Sequence, residues 1–330
     1  MNETIRKAKE KALRGETLER DEIIELLDIP IGSEDDKELR KAARDVAEIV
    51  TDNTAYIWTA IGADFETCPM NCEFCSLGEK WGIIKDKKKY SEEEILTIAE
   101  KFVNEGSNFI VLRTTEYYSL EKLGRLAKKM RDEIKGNYDI ILNTGEISDS
   151  NADRLAESGV DGMYHALRLG EGVTTPFDPE TRLSTMKSIG GSKLDLISLV
   201  EPVGREHTNA ELADRFITTV ETGAYISGAM ARVPVKGTPF GNDEMIDEHH
   251  LAHIIAAFRL SGGSTVKNIC VHPHSQEAAE SGANVAVVEM GAIPRDDKLI
   301  NDNWECFGIV DAGKMFMDAG YKLSSRREER

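Results

Sequence analysis

Long apolar runs are what this 330-residue sequence most plainly lacks. No stretch of about 18 apolar residues occurs, so no membrane-spanning helix is expected. The opening segment, Met1 to Glu16, has no apolar core of the signal-peptide kind, and a cytoplasmic protein is the expectation. Positive charge is scarce as well: 41 Lys and Arg against 59 Asp and Glu leave a net charge of −18. So acidic a chain is poorly suited to wrap a phosphate backbone, and nucleic acid is not an expected partner. The basic stretches, Lys85 to Lys89 and the group Arg326, Arg327 and Arg330, are short and read as solvated surface. Cysteine is sparse at five residues, and three of them fall within residues 68–75, which is not how a secreted disulfide framework is laid out. Thiols kept reduced for a metal fit that crowding better.

What is present is a recurring alternation of strand and helix. Apolar positions at helical spacing over 3–29 and 36–52 point to two helices, separated by a Gly-Ser-Glu-Asp-Asp break. Thr54 to Ala63, rich in β-branched and aromatic residues, reads as a strand that leads into the cysteines. Ser91 to Glu105 reads as a helix, with Ser91 as N-cap and Glu94 in the capping-box position. Strands over 108–113, 138–143, 162–167, 194–200, 228–235, 266–271 and 284–289 alternate with helices through Ile309–Ala319. Such units imply parallel strands with helices outside, an α/β fold of the closed (β/α) barrel kind. The expected layout is an N-terminal helical extension over 1–53, the barrel over 54–322 and a tail over 323–330. In such barrels chemistry sits at the C-terminal ends of the strands, so the polar residues after each apolar run are the candidates.

Cys68, Cys72 and Cys75 stand in DFETCPMNCEFCSLG at the spacing C-x3-C-x2-C. Three thiolates on an iron–sulfur cubane leave its fourth iron free to take a small chelating molecule. Zinc is the alternative, although a structural zinc wants four ligands and no second Cys or His pair stands nearby. A redox dithiol would leave the third cysteine unexplained.

The motif, with Phe74 directly before the last cysteine, resembles that of the radical S-adenosylmethionine (SAM) superfamily. The resemblance implies a [4Fe–4S] cluster on the three cysteines, SAM on the open iron and reductive cleavage of SAM to a 5′-deoxyadenosyl radical. That radical would take hydrogen from a small metabolite or cofactor precursor, with a flavodoxin or ferredoxin as electron donor. Over roughly Leu18 to Lys322 the chain is similar to the biotin-synthase-like branch, which includes a hydrogenase maturase and methylornithine synthase. On that likeness Glu116, in Leu112–Tyr118, would hold the SAM ammonium, with a helix-initiating acid as the other reading. Arg182, after Pro179, would hold the SAM carboxylate, or else lie solvated in the first helical turns. Arg168 and Glu171 would offer polar groups to SAM or substrate, although a surface ion pair explains both equally. Val235, in the Val233–Pro239 strand end, would lay backbone against adenine, or simply form a turn.

Biotin synthases also hold a second cluster on three strand cysteines, where this chain has Ile110, Ile141 and Ile197. Biotin synthesis itself is therefore not expected. Cys270, in an apolar run, reads as a buried thiol, and Cys306 as an exposed one. Glu201, His272 and His274 are substrate or proton-relay candidates, with His272 and His274 expected on one face of a strand; a structural role is the alternative for each. Glu289, Arg295 and Asp296 form a further polar group at a strand end. A maturase-like or mutase-like reaction is the leading expectation. Sulfur insertion of the archaeal lipoyl-synthase kind and a non-catalytic iron–sulfur carrier are the alternatives.

Overall fold

The computed structural model describes residues 2–324. Most of the expected tail, including its three arginines, lies outside the described residues. Eight parallel strands close into a barrel: β1 Thr54–Gly62, β2 Phe109–Arg113, β3 Asp139–Asn143, β4 Gly162–Tyr164, β5 Asp195–Ile197, β6 Ala224–Ala231, β7 Asn268–His272 and β8 Val285–Gly291. Each strand pairs with the next, and β8 pairs with β1 along Tyr56↔Val285 to Gly62↔Gly291. That closure leaves no unpaired sheet edge within the barrel. Because side chains alternate across a strand, β1 turns Tyr56, Trp58 and Ala60 into the barrel and Ala55, Ile57 and Ile61 towards the helices. The same alternation sends Phe109 and Val111 inwards and Ile110 outwards. Ile110 therefore faces the helices, whereas Ile141 and Ile197 face the barrel interior.

The helices are α1 Glu3–Leu13, α2 Arg20–Leu27, α3 Glu34–Val50, α4 Glu92–Glu105, α5 Leu120–Glu133, α6 Asp149–Glu157, α7 Pro179–Gly190, α8 Asn209–Glu221, α9 Glu248–Gly262, α10 Gln276–Glu280 and α11 Ile309–Asp318. The N-cap of α4 is as its sequence implies: the Ser91 hydroxyl accepts from the Glu94 amide, and the Glu94 carboxylate accepts from the Ser91 amide. Several boundaries differ from expectation, among them the fourth strand, which ends at Tyr164 and not at 167. The 3–29 segment is two helices, broken where Gly15 takes a left-handed φ of 80° and the Leu18 amide bonds the Ser261 carbonyl instead of continuing a helix. The 194–200 run divides into β5 and a separate short strand, Val200–Val203, that follows the outer part of β6. The sixth strand ends at Ala231, and the Val233–Pro239 stretch is an irregular loop beyond it.

No described helix is long and apolar enough to cross a membrane. Even so, α9 is buried at every position from Leu251 to Gly262. An all-round apolar helix must be covered on all sides. The barrel covers one side of α9, and α1, α2 and α3 cover the other, sharing one apolar core with α8 and α9. Within that core Arg259 is fully buried without a carboxylate. Its guanidinium donates to the carbonyls of Gly282 and Lys267 and to Asn284 Oδ1, at 2.6–2.8 Å. Burial pulls its pKa down to about 10, still protonated at neutral pH.

Arg259→Met should destabilise the protein by about 3 kcal/mol, because three buried acceptors lose their donor at once. Arg259→Lys should recover little of this, since one ammonium cannot replace a three-way fork. Thermal or urea unfolding of the three proteins measures both effects.

Candidate active site

At the C-terminal end of the barrel a cavity of about 190 Å³ opens above Trp58, Val111, Tyr164, Leu199 and Val287. Cys68, Cys72, Phe74 and Cys75 form part of its wall. Their loop is held by its own backbone: the Cys68 amide bonds the Leu77 carbonyl at 2.6 Å, and the Glu79 amide bonds the Cys68 carbonyl at 3.1 Å. Asn71 makes the turn between the first two cysteines at a φ of 51°, a conformation Asn tolerates, and its side chain caps the Lys80 amide. Glu73, between the second and third cysteines, donates to Thr174 O and accepts from the Phe240 amide, so two distant loops clasp the motif. Burial pushes the Cys72 thiol up to about 12 and the Cys75 thiol up to about 11. Such thiols give up their protons only to a metal.

Beside this loop stands a group of charged residues from the ends of β2, β3 and β4. Glu116 lines the cavity and forms no ion pair among the described residues; burial raises its pKa. Two neighbours fix its turn. The Asp64 carboxylate accepts from the Thr115 amide at 2.8 Å and from the Thr115 hydroxyl. Gly145 leaves the room, since a Cβ there would lie 2.3 Å from the Glu116 carbonyl. Arg182, on α7, is buried with its guanidinium 3.7 Å above the Phe177 ring. It pairs with Glu146 at 3.1 Å and approaches His165 at 3.0 Å. Glu146 is brought down to about 2: burial opposes its charge, but the His165 bond and the Arg182 charge overcome that cost. Arg168 donates to Glu201 at 3.1 Å, and Glu201 accepts from the Tyr164 hydroxyl. The Nε of Arg182 and the Nη1 of Arg168 remain buried without a hydrogen-bond acceptor. Both nitrogens lie 3.6–3.7 Å from Glu171, so this side sets a carboxylate without an ion pair beside two guanidinium groups that Glu171 holds from behind.

The opposite wall is built from β7, β8 and the end of β2. Glu289 accepts from Arg113 at 2.6 Å and from Arg295, and lies 3.2 Å from His272 Nε2. Trp304 carries the His272 ring at 5.6 Å and the Arg295 guanidinium at 5.4 Å. Burial, with the Arg295 charge beside it, lowers His272 to about 4. The ring is therefore neutral at physiological pH.

The structure brings Cys68, Cys72, Cys75, Phe74, Glu116, Arg168, Arg182, Glu201 and His272 onto one cavity. Three expected residues stand elsewhere. Glu171 lies behind the wall, accepting from the Arg168 amide at 2.9 Å and from Thr175, and braces both arginines. Val235 is buried off the cavity, its carbonyl occupied by the amide and hydroxyl of Thr238. His274 follows the end of β7 at His272 and Pro273, which cannot donate to a ladder, and stacks on Phe307 at 3.9 Å. It does not share a strand face with His272. Cys270 is buried at the barrel interior and Cys306 is exposed, as expected. Glu146, His165 and Arg113 were not singled out from sequence. Glu146 follows the third apolar run within Thr144-Gly145-Glu146, where the rule of polar residues after strands would have found it.

Comparison with known proteins identifies the domain. Residues 64–170 match the radical SAM superfamily model. A biotin synthase of Sulfurihydrogenibium sp. is 24% identical over 277 residues, covering 81% of this chain and 82% of that protein. The hydrogenase maturase HydG of Carboxydothermus hydrogenoformans superposes with a TM-score of 0.78 at 18% identity, covering 99% of this chain and 80% of the other. Methylornithine synthase superposes with a TM-score of 0.76 at 15% identity, covering 96% and 97%. The chain carries a radical SAM domain on a closed barrel with biotin-synthase-like relatives, and it is an enzyme that uses a [4Fe–4S] cluster and SAM. The cysteine set fits that group. Its three thiols border one cavity, yet no group of three or more His, Cys, Asp or Glu among the described residues is placed to hold a single ion. A cubane offers each thiolate a different iron and suits that spread.

The neutral state of His272 gives a pH dependence. The unfolded chain takes a proton near the ordinary 6.5 while the folded protein resists until about 4. Stability contributed by this ring is therefore complete above pH 6.5 and declines as pH falls through that window. His272→Gln should flatten the profile there, by thermal unfolding at several pH values; identical slopes in both proteins would refute the assignment.

Proposed function

We propose that this radical SAM enzyme abstracts a hydrogen atom from a small metabolite or cofactor precursor bound above the barrel floor, in the cytoplasm, with a reduced flavodoxin or ferredoxin as electron donor. The observation that carries the reading is that one cavity joins the three cysteines to Glu116, a carboxylate with no ion pair among the described residues, and to the guanidinium groups of Arg168 and Arg182. Cys68, Cys72 and Cys75 would hold the cluster. When bound, the cluster and SAM supply a 5′-deoxyadenosyl radical. Glu116 would accept hydrogen bonds from the SAM ammonium, since it lines the cavity and forms no ion pair among the described residues. Arg182, held flat by Phe177 and oriented by Glu146, would receive the SAM carboxylate. Glu171 acts through Arg168 and Arg182 by fixing both side chains. The floor of Trp58, Val111 and Leu199 excludes water from the space between cofactor and substrate.

Among the described residues the barrel interior carries a single cysteine, Cys270. Its positions at Ile141 and Ile197, with Phe109 and Val111 on β2, offer no thiolate for a second cluster. The reading is therefore of the mutase or maturase kind rather than sulfur insertion.

Anaerobically purified protein should contain about four iron and four sulfide per chain and form 5′-deoxyadenosine from SAM with dithionite. Cys75→Ala should abolish that product. Glu116→Gln should weaken SAM binding about 10- to 100-fold, the worth of a charge-assisted hydrogen bond, measured by equilibrium dialysis. Unchanged 5′-deoxyadenosine formation in Cys75→Ala would overturn the reading.

A further inference from the structure

The β7–β8 wall has no role in holding SAM under the reading above, yet it concentrates charge in a place that is costly to charge. Arg113, His272 and Glu289 are each nine-tenths or more buried, and Arg295 nearly so. Glu289 is saturated, with Arg113 on one oxygen and Arg295 and His272 at the other. The donors are not. Arg113 Nη2 and Arg295 Nε lack a hydrogen-bond partner, whereas the neutral His272 ring is engaged by Glu289 through Nε2 at 3.2 Å. Two guanidinium groups against one carboxylate and a neutral imidazole leave one positive charge. An ion pair kept only for stability would be expected to balance its charge and satisfy its donors. Excess cation and excess donors together, at a cavity wall, are the pattern of an anion receptor.

The rest of the cavity narrows the ligand. Between this wall and the Arg182 side the floor is apolar, with Val111, Val287, Leu199 and Trp58. Glu289 on β8 and the segment after β4 that carries Arg168 stand across the barrel, with three strands between β4 and β8 in either direction, while Arg113 reaches Glu289 from the end of β2. We propose that Arg113 and Arg295 bind the carboxylate of the substrate, and that the substrate is a small carboxylic acid with an aliphatic body lying across the floor. The inference rests on the radical SAM reading only in calling the bound acid a substrate. Glu289 is a positioning residue in this arrangement: it aims both guanidinium groups without spending their remaining donors.

Trp304 carries the Arg295 guanidinium and the His272 ring on its face and serves as the probe. Cluster-loaded protein is titrated with hexanoate and with its neutral counterpart hexanamide, following tryptophan fluorescence and heat of binding. Hexanoate should bind about tenfold or more tightly than hexanamide, the scale of one charge-assisted hydrogen bond. Arg295→Gln, a change in a surface-connected loop, should erase that preference, with its melting curve recorded alongside. Equal binding of acid and amide by the wild-type protein overturns the proposal without reference to any variant, as does an unaltered preference in folded Arg295→Gln. The same wild-type samples are assayed for 5′-deoxyadenosine in the absence of substrate. Loss of acid preference with that product intact removes the carboxylate site alone, whereas absence of the product removes the radical reading.

Discussion

Charge buried at the mouth of an otherwise apolar barrel is the constraint on which the site depends. The interior of the barrel is filled by Tyr56, Trp58, Phe109, Ile141 and Val285, among others. Any ion placed above them is largely removed from water and must find its counter-charge within the protein or in a ligand. Glu146, Glu171 and Glu201 pair with Arg168 and Arg182 on one side, and Glu289 pairs with Arg113 and Arg295 on the other. In each group some guanidinium nitrogens are left without a hydrogen-bond acceptor.

The closed sheet makes this arrangement rigid. Arg113, His272 and Glu289 stand on the strands themselves, so their positions follow from ladder register, while Arg182 is held by α7. The glycine ladder at the join of β1 and β8 shows how tight that closure is: a Cβ on Gly62 would stand 2.3 Å from the backbone of Ala292. The cysteine motif is the exception, a long loop outside the ladder. It borrows rigidity from the loops that hold Thr174 and Phe240.

Much of this was legible in the sequence. The cysteine spacing, the alternation of strand and helix and the Ser91 cap each follow from local chemistry, and local chemistry is what a sequence displays. Glu116, Arg168 and Arg182 were reachable through the resemblance to radical SAM proteins, and His272 because it closes an apolar run. The failures are tertiary. Nothing local separates His274 from His272; only the end of β7 and the stacking partner at Phe307 do so. Which of Phe109, Ile110 and Val111 faces inwards is a matter of register, and a one-residue slip exchanges every side chain between core and interior. Arg113 looked like the last residue of an apolar strand, and its partner Glu289 lies on a strand remote in sequence but next-but-one in the barrel.

The burial of α9 carries a consequence for how the chain is divided. A reader of the sequence draws a line near residue 53, with leading helices on one side and the enzyme on the other. The structure places Ile5, Leu26 and Leu39 in the same core as Ile254 and Phe258. Trimming the leader would strip the cladding from an inner wall and lay bare an alanine-rich surface made for contact. The first fifty residues are thus a piece of masonry in the barrel's outer course, and an exchange of such leaders between relatives would have to carry α9 along with them.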